Sequence, residues 1–301
     1  MKKLFVSLVL LAVVVCGQAQ VKIAPRMEVG QKMVYGNVTN MTVQMQEITT
    51  TSTMTYEVKE KTAEGFVVDM KLTDMAVSGG EASLGDLMNI VSKLVADQTV
   101  RIATDHDGVP TKIMNWEEVK AGLLESSNKL MDELYASHPE IAGVLPRESL
   151  KNELEQQLTE EELLKGVVLS PTSAFVMNGK TVSNLAKESY QNAQDIKMSR
   201  TYYLSDGGKT ITAMSKVDMN MDDMKKMIID QVEQRTPEQA AAVKENIDAI
   251  INSGMLKIDG SETSVYELQE NGWLKSINLV SNMDIMGQKI KLNSQVTHIE
   301  N

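Results

Sequence analysis

The chain reads as an α+β protein: a twisted antiparallel sheet, or sheets, built from two related halves with amphipathic helices inserted between hairpins. Three observations predict this. Tight-turn signals recur between β-rich segments, helical patterns fill the intervals, and segments of the first half match segments of the second.

The N-terminus, MKKLFVSLVLLAVVVCGQAQ, joins basic Lys2 and Lys3 to an apolar run from Leu4 to Val15, followed by small Gly17 and Ala19. This is the pattern of a secretory signal over residues 1–19, too short and wrongly flanked for a membrane span. Cleavage before Gln20 and an exported location, periplasmic or secreted, are expected. Cys16 is the one cysteine of the chain and lies inside the signal. Acylation there would make a lipoprotein, but Val15 stands where a small residue is usual. The mature chain therefore has no disulfide, and about 280 residues bury enough core to manage without one. No later run is apolar enough to cross a membrane.

Hairpins are expected at Met54–Met75 around Glu64-Gly65, at Thr99–Met114 around Asp107-Gly108, at Met198–Met219 around Asp206-Gly207-Gly208, and at Ser264–Val280 around Asn271-Gly272. Asp-Gly and Asn-Gly suit turns whose central residues need positive φ. Helices are expected between them. Leu84–Ala96 carries Leu84, Leu87, Met88, Val91, Leu94 and Val95 on one stripe. Asn115 caps a helix from Trp116. Thr159 and Glu162 make a capping box in the helical stretch 148–165, with Gly166 as a stop. Thr236, Pro237 and Gln239 open a last helix, whose face includes Val243, Ile247, Ile250 and Ile251 and which Gly254 can end.

The two halves, taken as 20–170 and 171–301, share short matches. Val67–Met75 aligns with Ile211–Met219, placing Met70 on Met214, and Ile102–Ile113 aligns with Tyr266–Ile277. The signal, the Gly30-Gln31-Lys32 opening, the Asn271-Gly272-Trp273 hairpin and the C-terminal strand resemble an uncharacterised family of secreted, β-rich proteins of Gram-negative bacteria. The element order is also distantly similar in layout to periplasmic lipoprotein carriers. That resemblance implies an antiparallel sheet closed by helices around an apolar cavity.

The chemistry is mostly negative. His106, His138 and His298 show no zinc spacing, and Asp105-His106-Asp107 sits at a turn. There is no nucleophile elbow, no phosphate loop, and the carboxylate pairs fall on polar helix faces. No catalytic residue, metal or cofactor is assigned, and the chain is not expected to be an enzyme. A formal charge of −11 makes nucleic acid a poor partner.

The methionines are the departure from ordinary composition: 21, against 3 Phe, 2 Trp and 7 Tyr. In VDMNMDDMKKM, residues 217–227, three readings compete. Thioethers could take copper or silver. Met221, Met224, Ile228 and Val232 could be one helix stripe in the core, with Asn220 or Asp222 as cap. Alternatively, soft side chains could line a pocket that repacks around varied partners. The leading expectation is a non-catalytic binding protein for a lipid or other apolar molecule, or for an envelope protein. Its lining would come from Leu87, Met88, Val91, Met221, Met224, Met227, Ile228, Ile247 and Ile251. A structural protein with no small-molecule ligand, and methionine-based metal binding, are the alternatives.

Overall fold

In the computed structural model the described residues are 20–43, 45–80, 98–137, 147–192, 196–235, 241–247, 258–285 and 287–300. The strands are β1 (Gln20–Lys22), β2 (Lys32–Val43), β3 (Gln46–Lys61), β4 (Gly65–Gly79), β5 (Thr99–Asp105), β6 (Pro110–Ile113), β7 (Thr181–Ser183), β8 (Lys187–Gln191), β9 (Lys197–Ser205), β10 (Thr210–Val217), β11 (Ile258–Leu268), β12 (Leu274–Ile285) and β13 (Gln288–His298). The helices are α1 (Trp116–Ser137), α2 (Arg147–Gln157), α3 (Glu160–Leu163) and α4 (Met221–Arg235), with a π turn at Leu164–Val168.

The α+β expectation is overturned. The chain is mostly β, organised on one eleven-stranded antiparallel sheet of order β6-β5-β4-β3-β2-β13-β12-β11-β10-β9-β8, with β1 and β7 pairing separately. Each half forms a meander, and the C-terminal β13 closes against β2, with Ser294 opposite Thr39 and Val296 opposite Asn37. Two halves thus share one sheet. The physical reason is strand length. Runs such as QEITTTSTMTYEVKEK, dense in Thr and other β formers, extend well past the turn signals, so β outweighs the inserted helices.

The hairpin turns fall where the Gly pairs put them. At the β3–β4 turn Thr62 Oγ1 accepts from the backbone N–H of Glu64 and of Gly65, 3.2 and 3.1 Å. Gly65 is required there: a Cβ would lie 2.0 Å from the Thr104 carbonyl oxygen. Gly272, at φ 83°, packs against the Ala24–Pro25 backbone. The edges are blunted: β6 is short and begins with Pro110, and β8 carries Lys187 and Glu188.

Among the helices, α1 begins at Trp116 as expected. Asn115 Oδ1, however, accepts from Arg101 N at 2.8 Å while its Nδ2 donates to Glu118. The cap ties helix to sheet. Thr159 Oγ1 accepts from Glu162 N at 3.2 Å, as the capping box requires. Gly166 does not stop the helix; it lies inside the π turn. Asn220 caps α4 by accepting from Asp223 N at 2.8 Å. Residues 241–247 are helical, whereas the Leu84–Ala96 helix lies outside the described residues.

Facing distinguishes the two repeat matches. Ile102 and Tyr266 are both buried, as are Ile113 and Ile277, so that match preserves the core side. Met70 is buried but Met214 is half exposed, so the other match pairs opposite faces.

Candidate functional site: a buried polar belt

Pleat parity places every core residue of β9–β12 on one face. Along β9, Met198, Arg200 and Tyr202 share it; along β11, Ile258, Glu262, Ser264 and Tyr266 do. The apolar part of this face is split in two. At one end Tyr35, Tyr56 and Phe175 meet edge to face with centroids 5.7 and 5.1 Å apart, and Trp273 lies tilted against Phe175 at 6.4 Å. Their polar tips are satisfied by backbone: Tyr35 O–H donates to Leu274 O at 2.8 Å, and Trp273 Nε1–H to Arg26 O at 3.2 Å. At the other end a smaller cluster joins Ile196, Met198, Met224, Ile228, Ile247 and Ile258.

Between these ends runs a polar belt. Arg200 is its centre, with a side chain only 10% exposed. Its Nε–H donates to Ser215 Oγ at 3.0 Å, and its terminal nitrogens donate to Glu188 at 3.2 Å and Glu262 at 3.4 Å. Tyr190 lies with its ring centroid 4.0 Å from the guanidinium carbon. Tyr202 O–H donates to Glu188 at 2.6 Å, and Lys180 Nζ lies 3.6 Å from the same carboxylate. Farther along the belt Ser294, Thr39 and Asn37 bond one another across β13 and β2. Ser264 is fully buried beside Glu262 and Tyr266, and its hydroxyl makes no hydrogen bond of good geometry there.

The two carboxyls are driven apart. Burial raises the Glu262 pKa, and the Arg200 charge does not offset it. Glu188 also feels burial, but the Tyr202 hydrogen bond and the Lys180 and Arg200 charges outweigh it and hold its pKa below the usual carboxylate value. Burial likewise lowers Lys180. The belt is a balanced set of two cations and two carboxylates, reaching solvent at the β8 edge, where Lys180 and Glu188 are each about one-third exposed.

Of the expected lining residues, Met224, Ile228 and Ile247 meet in the smaller cluster, and Met227 packs on its rim with Met219. Met221 is half exposed, on the solvent side. Leu87, Met88, Val91 and Ile251 lie outside the described residues. Thus the stretch VDMNMDDMKKM ends a strand and starts a helix whose buried methionine is core; its sulfurs face different ways. Asp105 is committed to its own turn, its Oδ1 accepting from Asp107 N and Val109 N at 2.9 Å, and Asp107 pairs with Lys22 at 2.7 Å. No cluster of metal-binding side chains occurs among the described residues, and no described helix is long and apolar enough to cross a membrane.

Reasoning from sequence missed the belt. Its signal was a charged residue at an inward parity: Arg200 between Met198 and Tyr202, and Glu262 in step with Tyr266. The surface groove of about 470 Å³ at the β10–β13 strand ends lies instead among Lys216, Asp259, Asp284, Lys289 and Lys291.

No family model matches the chain, and no curated protein matches it. Among solved structures it is similar to a lipovitellin chain described by its lipid–protein interactions, at 8% identity and a TM-score of 0.40. That likeness covers 91% of this chain but only 26% of that one. A porin-like protein from Bacteroides uniformis follows at 12% identity and a TM-score of 0.17, covering 92% and 98%. At such scores neither likeness carries a functional inference.

Proposed function

We propose that this chain is an exported, non-catalytic binding protein for an amphiphile, whose apolar tail is taken up at the methionine end of the core face, beneath α4. The observation that supports it is the contrast in filling along one face. The aromatic end is keyed together by rings and backbone hydrogen bonds. The methionine end is roofed by α4 through the buried Met224 and Ile228, with Met227 and Val232 packed beside them, and the exposed ion pair Lys197–Asp223 at 3.4 Å joins the helix to β9. Exposed pairs of this kind contribute little. A helix seated on adaptable thioether and aliphatic side chains can lift or repack without disturbing the sheet. The residue 1–19 signal supports export.

The test is a fluorescence titration of protein stripped of lipid, using N-phenyl-1-naphthylamine, together with native mass spectrometry of protein purified from its exported location. Saturable binding at micromolar probe, or a co-purifying lipid-like mass, is expected. A bare mass with no saturable fluorescence sinks the proposal.

A further inference from the structure

Strand β1 is where a processed chain would join the folded body. Residues 1–19 read as a secretory signal, and cleavage before Gln20 makes Gln20 the new N-terminus. β1 begins at that residue, with Gln20 opposite Ser183, Val21 opposite Val182 and Lys22 opposite Thr181. Anchoring follows at once. Val21 packs so close to Gly208 that a Cβ there would lie 2.3 Å from Val21 Cγ2, Lys22 Nζ pairs with Asp107 at 2.7 Å, and Ile23 is 2% exposed. No slack separates the terminus from the core, and trimming of two residues would remove most of the three-residue β1.

The ladder leaves Gln20 itself uncommitted. Ile23 N–H donates to Lys180 O at 2.9 Å, and Ile23 O accepts from Gly179 N at 2.7 Å. Bonding alternates along an antiparallel pair, so β1 uses Val21 and Ile23, and Gln20 turns its own N–H away from β7. Gln20 is exposed, and its side chain makes no hydrogen bond among the described residues. The α-nitrogen and the side-chain amide of one residue therefore both face solvent, and a ring that joins them costs no bond of the ladder.

We infer that Gln20 is a modification site, converted after export to an N-terminal pyroglutamyl lactam. The inference rests on the exported reading above. The uncharged α-nitrogen attacks the side-chain amide carbon, Cδ. The N–Cδ bond forms, the bond from Cδ to the amide nitrogen breaks, and the proton lost by the amine leaves with that nitrogen as ammonia. No oxidant, reductant or cofactor takes part. The product lacks the positive charge of an α-ammonium, and an aminopeptidase finds no free amine to bind. The ring thus protects the strand whose next residues, Val21 and Ile23, pack on the core.

The experiment takes full-length protein, expressed with its leader and recovered from its exported location. Free amines are blocked by reductive dimethylation before digestion and mass spectrometry, so that no ring closes during handling. Wild type is expected to give an N-terminal peptide that starts at Gln20, is lighter than its sequence by one ammonia, and carries no label on its α-nitrogen. Gln20→Ala, a change at an exposed position, should carry that label and should lose residues to an aminopeptidase that wild type keeps. A wild-type peptide that starts at Gln20 with a labelled α-amine, or equal trimming of wild type and variant, overturns the lactam. A peptide that starts upstream of Gln20 overturns the export reading beneath it, so the two failures are distinguishable.

Discussion

The two ends of the core face differ in how they resist change. The aromatic end brings together residues from both meanders and from the 168–177 segment, with rings locked edge to face and their polar atoms bonded to backbone. The methionine end is mainly aliphatic and thioether side chains from β9 to β12 and the helices, with Tyr190 at its rim, whereas the four methionines buried at the aromatic end, Met27, Met33, Met70 and Met177, sit in the same cluster as its rings. Aromatic packing of this kind has one good solution, whereas methionine has many of nearly equal energy. The ring-keyed end is therefore expected to tolerate substitution less than the end beneath α4.

Truncation would break that comparison most directly. Trp273→Ala should cost about 3–5 kcal/mol of stability in urea unfolding, because it opens a cavity beside Phe175 and removes the bond to Arg26 O. The paired change Met224→Leu and Met227→Leu should cost less than about 1.5 kcal/mol per site, because volume is kept. Equal losses would show the two ends to be equally keyed.

The belt gives the next largest effect. Arg200→Met leaves Glu188 and Glu262 facing each other without their shared cation, a loss of about 3 kcal/mol. Arg200→Lys should recover only part of it, since an ammonium cannot reach Ser215, Glu188 and Glu262 together in the fork geometry of arginine. Ser264→Ala acts in the opposite direction. Removing an unpaired buried hydroxyl should stabilise the ligand-free protein by about 1 kcal/mol, read as a shift of the urea midpoint at constant m-value.

The smallest effect is one of pH and sharpens the contrast inside the belt. Glu262 has a folded pKa above its unfolded value, so its contribution is fully present below the unfolded pKa and is lost as pH rises through the folded one. The stability advantage of wild type over Glu262→Gln should therefore shrink as pH rises above about 4, the unfolded carboxylate value. Glu188 is depressed, so its contribution is present above the unfolded pKa and lost as pH falls through the folded one. The advantage over Glu188→Gln should shrink in acid. Parallel profiles for the two variants would remove the distinction.

Much of the local structure was legible in the residues themselves. Glu64-Gly65, Asp107-Gly108, Asp206-Gly207-Gly208 and Asn271-Gly272 marked their turns because positive φ is a single-residue property. Thr159, Asn220 and the start of α1 were legible because caps act within one helical turn. The stripe of Met224 and Ile228 followed from helical period alone. Turns without such a signal were missed: β2 and β3 meet at Met45, a non-glycine residue at φ 70°.

What the sequence by itself determined is therefore a set of features whose cause lies within a few residues: the glycine-marked turns, the caps of α3 and α4, and the inward methionine of α4. The tertiary structure alone decided that two meanders share one sheet, because the β13–β2 pairing joins segments some 250 residues apart and period-two patterns do not name their partners. It alone placed Glu188, Arg200, Ser215, Glu262 and Ser264 side by side. A charge on an inward parity is costly by itself and tolerable only beside the right neighbours, and those neighbours are chosen by strand order rather than by the chain around each residue.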